Sequence, residues 1–312
     1  MKNIKTYNEF IKDHVLIEFE LFTLCDKSCS YCYNVVDTEG LRYNNDIENV
    51  LNGLEKIMSM NNKKIIIELI GGEPLLHKNF EQIIDYLYNN SHPDHKFSII
   101  THADHESNFF KKRLGLLKKF GDKVKVTCTL HTENLNKNRF KDNIKWVDDN
   151  FKYSSLFFFT DNDYLKDWEY IEEIFDSTIN MKLQPLVLDD SDLLETVNQL
   201  VNMNSKFEKY LNKFDVIYNI DGEIVPYNKG KYKMFKETKL LFNGDNCNVR
   251  AYEVDSKGFV TMCCFEKDQK PLGNIFLDPS RNLLNGKIIK CQQKRCQMNI
   301  ISFEVDIVNN EN

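Results

Sequence analysis

Long apolar runs are missing from this sequence. Its most hydrophobic stretches, such as "VLIEFELF" at 15–22, extend about eight residues and still carry charge; a membrane-spanning helix needs roughly 20. The first residues, "MKNIKTYNEFIKDH", lack the apolar core of a secretory signal. Lysines are scattered and the net charge is −6, so the chain shows no electrostatic footprint for nucleic acid. Glycine and proline are scarce, 12 and 6 in 312 residues, so each one calls for a reason. These absences argue against a membrane protein and a nucleic-acid binder, and make the cytoplasm the expected location. No internal repeat or low-complexity tract is visible.

What is present is ordinary globular composition, 42% hydrophobic and 28% charged, with one exception: nine cysteines. In a reducing compartment, cysteines at this density point to metal ligands or catalysis rather than disulfides. They also cluster. Cys25, Cys29 and Cys32 fall near the start, Cys247, Cys263, Cys264, Cys291 and Cys296 near the end, and Cys128 between them inside a strand-like run, where it reads as buried and inert.

Strand-like runs at 15–22, 64–70, 97–101, 124–130, 155–160 and 182–188 alternate with helical patterns at 46–60, 78–90, 106–120, 134–150 and 164–177. Phe80, Ile83, Ile84 and Leu87 show the three- and four-residue recurrence of an amphipathic helix. Such alternation predicts an α/β fold with parallel strands joined by helical crossovers, several strands being apolar on both faces. A helix-rich stretch at 191–214 follows. The pattern then changes to short strand candidates at 216–220 and 258–263, which puts a boundary near 210 and divides the chain into 1–210 and 211–312. The unusual residues all fall where strands end: Cys25 to Cys32 after the first, "GGEP" (71–74) after the second, "THAD" (101–104) at the third, "HTE" (131–133) after the fourth, "TDND" (160–163) at the fifth. In parallel α/β folds the carboxyl edge of the sheet carries the active site. Asp161 and Asp163 can face substrate there or cap the next helix.

Three thiolates can hold three irons of a [4Fe–4S] cluster and leave the fourth open to an outside ligand. A partial zinc site is the other reading of three cysteines. Cys25-x3-Cys29-x2-Cys32, with Tyr31 before the last cysteine, and Gly71-Gly72-Glu73-Pro74 about 40 residues on, resemble the radical S-adenosylmethionine (SAM) superfamily. The resemblance covers roughly residues 15 to 190 and implies a partial (β/α)6 barrel, open on one side. It also implies a cluster on Cys25, Cys29 and Cys32 whose open iron takes SAM, cleavage of SAM to a 5′-deoxyadenosyl radical, and hydrogen abstraction from substrate. On the same resemblance Gly71 to Pro74 bind the SAM amino group, Tyr31 and Thr101 lie beside the cofactor, and His131 lies near its ribose and carboxylate. The Thr-Asn-Gly-like segment of the family reads Thr101-His102-Ala103 here, and only the threonine matches.

Cys247, Gly258 and Cys263, followed by "LGNIF" at 272–276, are similar to the first half of a SPASM domain. Too few cysteines follow for that domain's two auxiliary clusters. Cys247, Cys263, Cys291 and Cys296 suffice for one, as in a twitch domain, with Cys264 left over; four cysteines also suit structural zinc. The resemblance implies a flavodoxin- or ferredoxin-like electron donor and a peptide or small-molecule substrate. With about 14 residues before the first strand, no leader-peptide-binding domain of typical size fits, which favours a small molecule or a separate leader-binding partner. The alternative from another class is a zinc-binding interaction protein with both cysteine groups structural.

Overall fold

The computed structural model describes residues 4–7, 10, 14–27, 29, 32, 46–60, 64–159, 167–186, 208–213, 217–220, 223–226, 246–248, 251–262, 271–278, 288–290 and 306–307. A short strand β1 (Ile4–Tyr7) precedes the main sheet. That sheet is built from β2 (Val15–Glu20), β3 (Ile65–Ile70), β4 (Lys96–Thr101), β5 (Val124–Leu130), β6 (Tyr153–Phe159) and β7 (Lys182–Leu186). Between them run α1 (Ile47–Met58), α2 (Phe80–Asn90), α3 (Ser107–Gly115), α4 (Lys137–Asn150) and α5 (Trp168–Ser177). The six strands lie in chain order, and every neighbouring pair is parallel. Right-handed crossovers in strictly sequential order put every helix on one face. None of the described crossover helices covers the other face, and such a sheet curls around it, as in a barrel. The α/β architecture expected from the alternating pattern is the one observed.

The helices form where their patterns start and stop. In α1 the Asp46 side chain accepts from the Glu48 N–H, Lys56 sits in the last turn, and Val50, Gly53, Leu54 and Ile57 make the buried stripe. In α2 the buried residues are Phe80, Ile83, Ile84 and Leu87, the set picked out by periodicity. A methyl placed on Gly53 would come within 3.4 Å of the Phe19 ring, so α1 covers the face to which Phe19 points. Residues paired across parallel strands share a face. Phe19, Leu69, Ile99 and Val126 are paired in that way, as are Ile17, Ile67, Phe97 and Val124, and all are buried. The opposite, inward face carries a different row. Glu18 pairs with Glu68, Glu68 with Ser98, Ser98 with Lys125 and Lys125 with Tyr153.

Beyond residue 210, β8 (Ile217–Ile220) joins β1 and β9 (Glu223–Pro226) in a three-stranded sheet. A second small sheet holds β10 (Asn246–Asn248), which carries Cys247, together with β14 (Ile288–Lys290) and β15 (Asp306–Ile307). The strands between them do not stand apart from the barrel. β11 (Ala251–Val254) pairs parallel with β2, and β12 (Phe259–Met262) and β13 (Gly273–Asn274) continue the sheet to nine strands. The following turn docks on α1: Asn52 Nδ2 donates to Phe276 O at 3.2 Å, and Lys56 Nζ to Ile275 O at 2.6 Å. β11 therefore covers the edge that β2 would otherwise leave unpaired. Of the expected elements past 150, most of the helical stretch 191–214, and Asp161 and Asp163, lie outside the described residues.

Candidate functional site

The carboxyl ends of β2, β3, β4 and β5 bring the singled-out residues together. From β2 the chain passes through Phe22 and Leu24 to Cys25. From β3 it enters Gly71 and Gly72. The two segments touch along their backbones: Gly72 N–H donates to Phe22 O and Glu73 N–H to Leu24 O, both at 2.8 Å. This contact gives the glycines their reason. A methyl on Gly71, which has φ 145°, would lie 2.3 Å from Phe22 O, and one on Gly72 would lie 2.2 Å from Leu24 O. The close approach that requires glycine is therefore made by the cysteine-bearing strand itself.

Glu73 and Pro74 start a short 3-10 turn, Pro74–Leu76, with the Glu73 side chain accepting from Leu75 N–H. The Glu73 carboxylate is fully buried. Its Oε1 also accepts from Thr101 Oγ1 at 2.8 Å, and its Oε2 from His102 N–H at 2.9 Å. Burial alone would push this carboxyl up, but the imidazoles of His102 and His105 and the N–H of His102 hold it below the ordinary value. Thr101 thus braces the Gly-Gly-Glu-Pro turn.

Cys25 and Cys32 are half-buried and Cys29 is buried, all three as free thiols. Cys32 N–H donates to Cys29 O at 3.1 Å, closing the turn between those two. Burial raises the Cys25 thiol to about 12. Burial and the neighbouring Cys32 raise Cys29 to about 11. Thiolates in poorly solvated surroundings call for a cation, and soft sulfur donors select iron–sulfur clusters or zinc. His131, after β5, places Nδ1 3.6 Å from Cys29 Sγ, and burial lowers its pKa to about 4, so the ring beside this sulfur is neutral at pH 7. Tyr31 lies outside the described residues, as do Cys263, Cys291 and Cys296. Cys247 is described by its backbone within β10, and β14 ends at Lys290, one residue before Cys291.

His102 and His105 were not assigned roles by sequence, and the structure buries both here. Their rings lie 4.1 Å apart. His102 Nε2 is 2.7 Å from the carboxylate of Asp26, the residue after Cys25. Lys27, next in the loop, pairs with Asp104. The signal available was the density of ionisable residues in "THADH" at a strand end.

Comparison with known proteins agrees with this geometry. Residues 19–155 match the family model of the radical SAM superfamily. Among solved structures, histidine-tagged anSMEcpe with bound AdoMet superimposes with a TM-score of 0.61 at 15% identity, covering 92% of this chain and 83% of that one. Streptococcus suis SuiB bound to S-adenosylmethionine gives 0.59 at 13% identity, covering 86% of this chain and 65% of SuiB. SuiB bound to its precursor peptide SuiA gives 0.57 at 12% identity, over 87% and 64%. Identities this low establish a shared fold. No curated protein sequence matches the chain. Among the described residues, no helix is long and apolar enough to cross a membrane.

Proposed function

We propose, from the match of residues 19–155 to the radical SAM superfamily model, that the chain is an enzyme that reductively cleaves SAM and abstracts hydrogen from a polar substrate held inside the barrel. The observation that carries this reading is the backbone contact between Phe22–Leu24 and Gly72–Glu73, which sets the three-cysteine loop against the Gly-Gly-Glu-Pro turn. Cys25, Cys29 and Cys32 would hold the cluster. Gly71 to Pro74 would present backbone groups to the SAM amino end, with Thr101 bracing Glu73. Tyr31 and His131 would flank the cofactor, the neutral ring of His131 lying against Cys29. When bound, the cluster and SAM supply a 5′-deoxyadenosyl radical that removes a hydrogen atom from substrate.

The inward face supports a polar substrate. Glu253, Glu18 and Glu68 lie side by side on that face, and Ser98, Lys125, Thr127 and Ser155 continue it over the next strands. Such a row suits a peptide or a small metabolite rather than a lipid. We further propose an auxiliary [4Fe–4S] cluster on Cys247, Cys263, Cys291 and Cys296, in a twitch-like region within 211–312, serving oxidation or cross-link formation. The pairing of β10 with β14, which brings the chain beside Cys247 one residue before Cys291, supports it. The donor would be flavodoxin- or ferredoxin-like and the setting cytoplasmic.

Anaerobic reconstitution with iron and sulfide tests the reading. The expected protein is brown, carries roughly eight irons from two four-iron clusters, and forms 5′-deoxyadenosine with dithionite and SAM. Cys29→Ala lowers the iron by about four per chain and abolishes 5′-deoxyadenosine. A colourless zinc protein would overturn the proposal in favour of an interaction module. Roughly four irons, with cleavage intact, would remove the auxiliary cluster alone.

A further inference from the structure

Residues 131–134 meet the cysteine loop through His131 at Cys29 and through Asn134 O, which accepts from Lys27 Nζ at 3.1 Å; another segment meets it twice through ionisable side chains. It is "THADH", residues 101–105 at the end of β4. Asp26 and Lys27, the two residues after Cys25, meet His102 and Asp104 in turn, an acid followed by a base on the loop facing an imidazole followed by an acid at the strand end. We propose that His102 and Asp104 are positioning residues: their paired contacts with Asp26 and Lys27 fix the start of the cysteine loop and thereby aim Cys25 at its metal. The inference rests on the radical SAM reading above and assigns the Thr-His-Ala departure a role within it.

The rigid half of this buckle is the strand-end side. His102 and Asp104 are 4% and 2% exposed, whereas the Asp26 side chain is 48% exposed. His102 Nδ1 accepts from Asp104 N–H at 3.0 Å, which leaves Nε2–H to donate to Asp26 Oδ1 at 2.7 Å. The Asp104 carboxylate is fixed from behind by Arg139 Nε at 2.8 Å and Asn136 N–H at 3.2 Å, and it then receives Lys27. The turn between the two residues is made at Ala103, whose φ of 56° is left-handed and unfavourable for alanine. Asn143, fully buried on α4, holds that turn by donating Nδ2 to Ala103 O at 2.9 Å and to His105 O at 2.8 Å. A strained backbone clamped from a neighbouring helix is what an over-determined site looks like.

The other half reaches the first ligand directly. Cys25 Sγ, an Asp26 carboxylate oxygen and a His102 ring nitrogen all lie within 4.8 Å of one another. Lys27 N–H donates to Cys25 Sγ at 3.4 Å. Two contacts on consecutive residues resist rotation of the loop, which a single contact would not. Because His102 N–H and Thr101 Oγ1 also hold Glu73, the same five residues set the cysteine loop and the Gly-Gly-Glu-Pro turn in register.

The test uses the reconstituted full chain, with SAM as the probe. Asp26→Ala, at a half-exposed site, keeps the melting temperature and iron content of the unaltered chain. It shifts the electron paramagnetic resonance signal of the reduced cluster and raises the SAM concentration for half-maximal cleavage about tenfold, the size expected for a residue behind a metal ligand. His102→Ala acts in the same direction, His102→Gln, which keeps an N–H donor, recovers part of the loss, and the double variant is no worse than the poorer single one. Unchanged spectra and half-saturation in Asp26→Ala, or additive losses in the double variant, overturn the proposal. If His102→Ala fails to fold, Asp26→Ala and Lys27→Ala decide by the same two readouts. An unaltered chain that neither takes up iron nor cleaves SAM would fail the premise instead, before any variant is compared.

Discussion

The two faces of the parallel sheet are written by alternate residues of the same strands, yet they obey different rules. On the helix side, Ile17, Phe19, Ile65, Ile67 and Leu69 are at most 1% exposed and wholly apolar. One residue along, on the inward side, Glu18 and Glu68 sit side by side with Glu253 flanking Glu18, and water still reaches them. Burial pushes the Glu18 carboxyl well above its ordinary range, and the charges of Glu68 and Glu253 push it further. Burial raises Glu68 too, with Ser98 and Lys125 pulling the other way. Stability is therefore concentrated on one face, and the other keeps charges that a fold selected for stability alone would discard. The carboxyl edge is where the two faces meet.

That edge should be the most sensitive place. Gly72→Ala puts a methyl 2.2 Å from Leu24 O, a backbone atom that cannot swing away. We expect at least a hundredfold loss of SAM cleavage, on the order of 3 kcal/mol, because the cysteine loop is displaced from the turn. Wild-type cleavage rates in this variant would show that the contact does not set the site. On the helix side, Ile67→Ala should lower unfolding stability by about 2–5 kcal/mol while leaving cleavage per folded molecule unchanged. Chemical denaturation alongside the cleavage assay checks both. A loss of cleavage without a loss of stability would erase the division between the faces.

His77, buried after the 3-10 turn with its ring edge-on to Phe22 at 5.1 Å between centroids, sharpens the comparison through pH. Its Nδ1 accepts from Asn79 N–H, and burial lowers its pKa to about 4, helped by Lys78 and Arg113. The folded pKa is below the unfolded one, so the unfolded chain binds the extra proton between about pH 6.5 and 4. Stability from this residue is present at pH 7 and falls on acidification. Going from pH 7 to 5 should remove about 2 kcal/mol through His77 alone. His77→Asn, which keeps an acceptor for Asn79 and does not titrate, should flatten the pH slope by that amount. Parallel slopes for the two proteins would refute it.

How much of this was legible depended on the range of each interaction. The run 124–130 announces β5 to the residue, and Phe80, Ile83, Ile84 and Leu87 announce the buried stripe of α2, because local periodicity records which side is buried. Gly71 and Gly72 were legible as part of a motif at a strand end, although their backbone partners, Phe22 O and Leu24 O, were not. The acidic row was hidden because "IIIELI" shows one glutamate in an apolar run, and only register sets it beside Glu18 and Ser98. β11 was missed for a related reason: "AYEV" is short and finds its partner, β2, more than 230 residues away. The contact of His102 with Asp26, 76 residues apart, leaves no trace in either local sequence.

The smallest effect is the one that separates the two faces most cleanly. Burial, and then the two carboxylates on either side, raise the folded pKa of Glu18, so the folded chain holds the proton more tightly than the unfolded one. Stability from that proton is complete at low pH and is lost as pH rises through the folded pKa, leaving like charges crowded together in neutral buffer. Glu18→Gln removes the middle charge while keeping size and hydrogen-bonding capacity. Its melting temperature should exceed that of the unaltered chain by a few degrees at about pH 8, and the two should converge near pH 4. Turnover of a bound substrate should fall at the same time, since the inward face is retained for recognition. A drop in melting temperature at the higher pH would mean that a cation on the chain stabilises the Glu18 carboxylate, and the inward face would then contribute to stability as the helix side does.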